Sequence, residues 1–410
     1  MSLSVDIRKN FPGFSLDVSF EAPNATKTLA LLGASGCGKS MALKCIAGIE
    51  TPDEGRIVLN DRVLFDSAAH VNVPASERRV GYLFQNYALF PTMTVVKNVE
   101  TGVRSRNKNE VRERAAAQIR AFRLEGLEDR KPSELSGGQQ QRCALARIMA
   151  NDPELLLLDE PFSALDGFLR WQIELELADT LKAFPGGVVF VTHSRDEAYR
   201  MCDQVCVLTA GKSGRTVGTH ELFDAPATRS EAIISGCKNV SEATAVGGRV
   251  VRCADWGVEL ACAQDVAGAT SVGVRAHFLR IVRADGRVVD TIGDAETGFG
   301  SAAHDAEKGA RVAGAVAGAA GDEAAGAAGD EAAGAAGDDA PGSASVSPDN
   351  RIECRVARVI DNVFSTIVMC DTPGTAQLRV ELSKDAWASL EDPASVTIEV
   401  SPADVMVLRG

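Results

Sequence analysis

Apolar and polar residues alternate through positions 2–20, with Leu3, Val5 and Ile7 and then Phe14, Leu16, Val18 and Phe20 on the apolar phase. A period of two predicts half-buried antiparallel strands, and Pro12-Gly13 supplies the turn between them. Residues 28–32 read as a buried strand and 41–47 as a helix with Met41, Leu43 and Ile46 among its apolar positions. A turn at 51–55 leads to a strand pair at 56–59 and 63–65, and a further strand over 79–85 ends in Gln85. From 95 to 150 the pattern turns helical and charged, and Ser136 is placed to cap a helix running through Cys143, Leu145, Ile148 and Met149. The unbroken apolar run Leu155-Leu156-Leu157-Leu158 marks a strand covered on both faces of a parallel sheet. A helix over about 166–183, a strand over 188–192 ending in His193 and a strand over 205–208 complete this part. Strands alternating with helices, with polar residues at strand ends, predict an open α/β sheet that binds its ligand along that edge.

Near residue 235 the pattern changes to short alternating strands, at 250–253, 258–262, 272–275 and 279–282, resuming at 352–356, 378–382 and 396–400. This spacing predicts a small β-barrel. Residues 286–350 interrupt it with a Gly-Ala-Ala-Gly-Asp-Glu-Ala-Ala repeat of period eight, recurring from Gly318, Gly326 and Gly334. Glycine, alanine and acidic residues cannot build a core, so a solvated, disordered insertion is expected, with a helical spacer as the alternative.

At 410 residues the chain suits two or three domains, and 45% hydrophobic with 24% charged content is that of a globular protein with a core. The net charge of −13 argues against nucleic acid as the main partner. Positions 1–10 hold no apolar segment of signal-peptide length, and no run approaches the ~20 apolar residues that span a bilayer. A cytosolic protein is expected. The ten cysteines are scattered without zinc-site spacing and read as reduced, buried small residues. Cys37 is either an exception, a thiol activated at a helix start, or a small residue filling a tight loop.

The chemistry concentrates in Gly33-Ala34-Ser35-Gly36-Cys37-Gly38-Lys39-Ser40, a G-x-x-x-x-G-K-[ST] loop between a predicted strand and a predicted helix. Glycines let backbone N–H groups converge on phosphate oxygens, and the helix start adds partial positive charge. Lys39 would reach the β- and γ-phosphates, and Ser40 would ligate Mg²⁺.

Downstream, Gln85, Leu135-Ser136-Gly137-Gly138-Gln139, Leu155 to Glu160, Ser163-Ala164-Leu165-Asp166 and His193 follow in an order that resembles the ATP-binding cassette of ABC transporters. The resemblance covers roughly residues 1–235. It implies an α/β fold, a P-loop NTPase cassette with a mixed sheet and a helical subdomain at about 92–150, and a C-terminal accessory barrel over 236–410. It further implies that Asp159 holds Mg²⁺ through water, alongside Ser40 and Gln85, that Glu160 is the general base, and that His193 contacts the γ-phosphate. Ser136, Gly137, Gly138 and Gln139 would act on ATP held by a second copy of the chain, with Asp166 in the stretch that crosses the dimer interface. An aromatic residue stacks on adenine in many family members; Phe11 is best placed here and Phe14 is close, although either could be core. Met41 departs from the threonine common at its position.

The same resemblance implies an importer, with a membrane permease as partner and a place on the cytoplasmic face of the membrane. Asn86 to Pro91 would be a socket for a permease helix, a packed hinge, or both. Glu77 to Pro91, Gly236-Cys237-Lys238-Asn239 and Val272 to His277 look most like cassettes for molybdate, tungstate or sulfate, with iron(III) and other importers, a non-transport ABC ATPase and an oxyanion-sensing regulatory protein as alternatives. An extracytoplasmic anion-binding protein would then be an indirect partner. Arg275 and His277 would meet a regulatory oxyanion or be ordinary polar residues of a surface strand.

Overall fold

In the computed structural model, residues 2–22, 28–163, 167–283, 286–289 and 350–410 are described. Asp166 and residues 290–349, most of the predicted insertion, lie outside them. The chain divides into two compact units, 1–226 with 230–236, and 227–229 with 237–410.

The alternating N-terminal segment forms a hairpin, β1 (Leu3–Phe11) and β2 (Phe14–Ala22), in register from Leu3↔Ala22 to Phe11↔Phe14. Pro12 fixes one turn torsion and Gly13, at φ +79°, takes the left-handed one that a side chain would resist. Next come β3 (Thr28–Leu32), helix α1 (Lys39–Ala47), β4 (Glu54–Leu59), β5 (Arg62–Asp66), β6 (Val71–Asn72) and β7 (Val80–Leu83). Three helices, α2 (Val95–Glu100), α3 (Lys108–Ala121) and α4 (Gly137–Met149), occupy the charged stretch. Then β8 (Leu155–Asp159), α5 (Gly167–Ala183), β9 (Gly187–Thr192), α6 (Arg195–Met201), β10 (Gln204–Thr209) and β11 (Lys212–Gly218) follow.

All eleven strands join one sheet in the order β6-β5-β4-β1-β2-β11-β10-β3-β9-β8-β7. The run β10-β3-β9-β8-β7 is parallel throughout. β3, β8 and β9 are buried at every position, which is why they read as continuous apolar runs and not as alternations. Helices and strands enclose two apolar clusters, one around α4 and β8 and one around α1 and β1.

The second unit holds two antiparallel sheets where one small barrel is expected. The five-stranded sheet contains β12 (Asn239–Gly247), β13 (Val250–Cys253), β14 (Val258–Ala261), β15 (Ser271–Val274) and β22 (Met406–Leu408), and the other has six strands. In the latter, β16 (Arg280–Val282) pairs with β17 (Val288–Val289) and with β21 (Ser395–Val400), and β18 (Asn350–Asp361), β19 (Ser365–Asp371) and β20 (Gln377–Ser383) complete it. Both sheets contribute to one core around Trp256, Ile352 and Ile398. The insertion is accordingly shorter at its ends than expected. Val288-Val289 is apolar enough to pair, and Asn350 already opens a strand, its amide bridging Ala261.

Arg78 shows how the first unit fixes the helix behind the glycine loop. Its side chain is fully buried, and Nη1 donates to the carbonyls of Cys45 and Ile46 at 2.8 Å while Nε donates to Val73 O. A cation thus satisfies the last turn of α1, whose carbonyl end carries partial negative charge. Replacing Arg78→Met strands the Ile46 carbonyl, leaves Cys45 O with the Gly48 N–H alone, and should destabilise the first unit by about 3 kcal/mol. Denaturant unfolding checks this, and an unchanged midpoint would remove Arg78 as the cap of α1.

Candidate functional site

Four parallel strands deliver the predicted residues to one edge. β3 runs into the glycine loop, β9 into His193, β8 into Asp159 and Glu160, and β7 into Gln85 two residues past its end. Register pairs Leu32 with Thr192, Asp159 with Val191 and Leu83 with Leu158, so these ends are level. Side chains at the carboxyl ends of adjacent parallel strands share one crevice.

The loop itself is tightly made. A Cβ on Gly33 would lie 2.4 Å from Leu208 O, and Gly38 combines φ +105° with Leu16 and Phe14 side chains under 3 Å from where a Cβ would sit. Neither position accommodates a side chain. Gly38 leads into α1 with no side-chain cap, and the first turn holds no acidic residue, so its N–H groups are available to an anion. Lys39 is buried, and its Nζ donates to Gly33 O and Ala34 O at 2.9 Å each. Cys37 is buried within the loop, with Sγ 3.9 Å from Lys39 Nζ, as a small filling residue would be. All ten cysteines are buried and free.

Ser40 Oγ donates to Asp159 Oδ1 at 2.7 Å, and its lone pairs stay open to a cation. The second Asp159 oxygen accepts from Tyr82 Oη at 2.9 Å. Burial foremost, and then the neighbouring Asp159 carboxylate, pushes the Tyr82 phenol well above its ordinary range, so it stays a donor. Among the described residues, no group of three or more His, Cys, Asp or Glu gathers to hold a metal alone. The hydroxyl, carboxylate and exposed Gln85 amide therefore fit a hard cation such as Mg²⁺ that completes its shell with ligand phosphate oxygens and water.

Glu160 adopts φ +44°, unusual for a residue with a side chain. Its N–H donates to Val191 O at 3.0 Å, and its carbonyl accepts from Ser163 N and Oγ, so the neighbours hold the conformation in place. His193 Nδ1 lies 3.1 Å from Glu160 Oε1, within reach for Nδ1–H to donate. The imidazole remains half exposed.

At α4, Ser136 Oγ accepts from Gln139 N, and Gln139 Oε1 accepts from Ser136 N at 2.9 Å, a complete capping box. Ser136 is exposed and Gly137, Gly138 and Gln139 are half-buried. Gly138 packs where a Cβ would meet Ile173 at 2.6 Å, so glycine lets α4 and α5 approach. Phe11 is half-buried at the hairpin end, 6.3 Å from the Phe14 ring, and it is Phe14 that lies against Gly38. In the stretch after Gln85 the two readings divide by residue. Tyr87 is buried with its hydroxyl 3.4 Å from Pro161 O, whereas Phe90 is exposed, 5.5 Å from the Arg147 guanidinium, which also bonds the Tyr87 and Ala88 carbonyls.

Tyr82 is the site residue that sequence reasoning passed over. Only the pairing of Tyr82 with Leu157 across β7 and β8 sets it on the same face as Asp159 two positions on. Asn239 is buried, and its side chain bonds both backbone groups of Arg379, while Arg275 and His277 flank or occupy a 3₁₀ turn over Ala276–Phe278, and neither is free of partners.

Comparison with known proteins agrees with this geometry. The family described as ABC transporter matches residues 16–163. The spermidine/putrescine import ATP-binding protein PotA of Oleidesulfovibrio alaskensis is 43% identical over 218 residues, 53% of this chain and 57% of that protein. Its counterpart in Vibrio cholerae is 40% identical over 248 residues, 60% of this chain and 63% of that protein. The chain thus spans less than two thirds of the length of either relative. A solved dimer of the ATP-binding cassette MJ0796 with ADP and Pi is 28% identical, with TM-score 0.45, covering 53% of this chain and 99% of that one. The segment that matches the ABC transporter family carries the glycine loop, the α4 signature and the Asp159-Glu160 pair.

Proposed function

We propose that this chain is the ATP-hydrolysing subunit of an ABC importer. The observation that carries the reading is the convergence of the glycine loop, the Ser40–Asp159 bond and the Glu160–His193 contact on one sheet edge. The loop N–H groups and Lys39 bind the phosphates, with Lys39 exchanging its two carbonyl acceptors for phosphate oxygens. Mg²⁺, held by Ser40, Asp159 and Gln85, would neutralise developing charge on the phosphates. Glu160 orients and deprotonates the attacking water, and His193 bonds the γ-phosphate.

The capped N-terminus of α4 is a second anion cradle, and one chain's own loop already takes the phosphates of its nucleotide. Ser136 to Gln139 therefore serve a nucleotide on a second copy, and two chains close around two ATP molecules. Asp166, proposed at that interface, lies outside the described residues. Phe11 remains the proposed adenine platform, with Phe14 bracing it. Exposed Phe90 offers a contact for a permease helix. Among the described residues no helix is long and apolar enough to cross a membrane, which suits a subunit docked on the cytoplasmic face through that permease.

For the cargo, a polyamine replaces the expected molybdate, tungstate or sulfate. Both relatives described above are named for spermidine and putrescine import. The stretches that suggested an oxyanion have other employment, Arg78 on the end of α1 and Asn239 on Arg379. A periplasmic or surface polyamine-binding protein then takes the place of the anion-binding one.

Three measurements test the reading. Glu160→Gln should bind ATP normally and hydrolyse it about 10²- to 10⁴-fold more slowly; near-normal turnover would refute the general base. Ser136→Ala should cut turnover by up to about 10²-fold and leave ATP affinity of the isolated chain unchanged, whereas full activity would remove the dimer from the mechanism. Vesicles holding the chain with its permease should accumulate radiolabelled spermidine on ATP addition; molybdate uptake in its place would restore the oxyanion reading.

A further inference from the structure

Asp159 is held from two sides by two different elements. Ser40, on the first turn of α1, donates to Oδ1 at 2.7 Å, and Tyr82, on β7, donates to Oδ2 at 2.9 Å. Both Asp159 and Tyr82 are buried. Tyr82 sits opposite Leu157 in the parallel register, so its ring projects on the Asp159 face, and the phenol is long enough to bridge the diagonal. Its own ring is fixed by the Phe84 ring, 4.3 Å away.

A carboxylate with one donor can turn about its Cβ–Cγ bond, whereas donors on both oxygens fix that torsion. Only the Ser40 side faces the glycine loop. The Tyr82 bond thus aims Oδ1 at Ser40 and keeps Oδ2 from being a buried, unpaired acceptor. We propose that Tyr82 is a positioning residue for the cation that Ser40 and Asp159 hold with the nucleotide, setting its affinity through the orientation of Asp159. The inference rests on the nucleotide-binding reading above. Tyr82 meets the site through its bond to Asp159, and the proposed effect passes through that aspartate. Partners that orient metal-binding groups in this way typically change metal affinity by 10- to 100-fold.

The test uses the full chain and Mn²⁺ as a paramagnetic probe, with a non-hydrolysable ATP analogue. Electron paramagnetic resonance gives the Mn²⁺ dissociation constant without turnover, and analogue binding in excess EDTA gives metal-free affinity. Tyr82→Phe keeps the ring and removes only the hydroxyl. It should weaken Mn²⁺ binding about tenfold or more and leave metal-free analogue affinity within about twofold. In hydrolysis, its Mg²⁺ requirement should rise more than its rate at saturating Mg²⁺ falls. Equal Mn²⁺ affinity in the two proteins would overturn the proposal. So would a parallel loss of metal-free affinity, which would mark Tyr82 as a packing residue. Failure of the unaltered chain to bind the analogue would instead bring down the nucleotide-binding reading, and this inference with it.

Discussion

Everything chemical in the first unit hangs on the levelling of four parallel strand ends. Hydrogen bonds between β3, β9, β8 and β7 fix their register, and each chain leaves the sheet at the same height. Burial on both faces gives those strands no freedom to slip, because a one-residue shift would reverse every side chain. The sheet is a ruler against which a lysine, a serine, two carboxylates, a glutamine and an imidazole are set. Loops alone would not hold six groups from distant stretches so closely.

Much of this was legible beforehand, for definite reasons. Leu155 to Leu158 could only be a doubly covered strand, and a run of that kind ending in Asp159-Glu160 announces a functional edge. Ser136 and Gln139, three apart before a helical pattern, announce a capping box. Tyr82 was missed because an aromatic in a short strand reads as core, and its hydroxyl matters only once β7 is known to lie beside β8. Arg78 lay unremarked within the stretch Glu77 to Pro91 for a related reason: only the tertiary fold places it on the carbonyl end of α1. The strands expected beyond residue 235 lie in two antiparallel sheets around one core, and their spacing in the sequence records how often the chain turns.

The two units differ in what their sequence can say about purpose. In the first, side-chain chemistry is bound to a ligand common to many proteins, so residues and role travel together. The second is built of alternating strands around Trp256, and its Asn239 side chain bonds the backbone of Arg379. In the importer proposed above, cargo would be recognised by other subunits, which would leave this chain little reason to carry a cargo's signature. A likeness in short stretches of the cassette is then likeness in nucleotide handling.

Lys39 carries a consequence for how the first unit meets its ligand. Its ammonium is enclosed by two carbonyls of its own loop, so the loop already has a counter-dipole at its centre before any phosphate arrives. Nucleotide entry becomes an exchange of one set of oxygen acceptors for another rather than the ordering of a slack segment. On the proposed reading little conformational entropy is then lost on entry, because the loop is already held in shape around its own ammonium before the phosphates arrive.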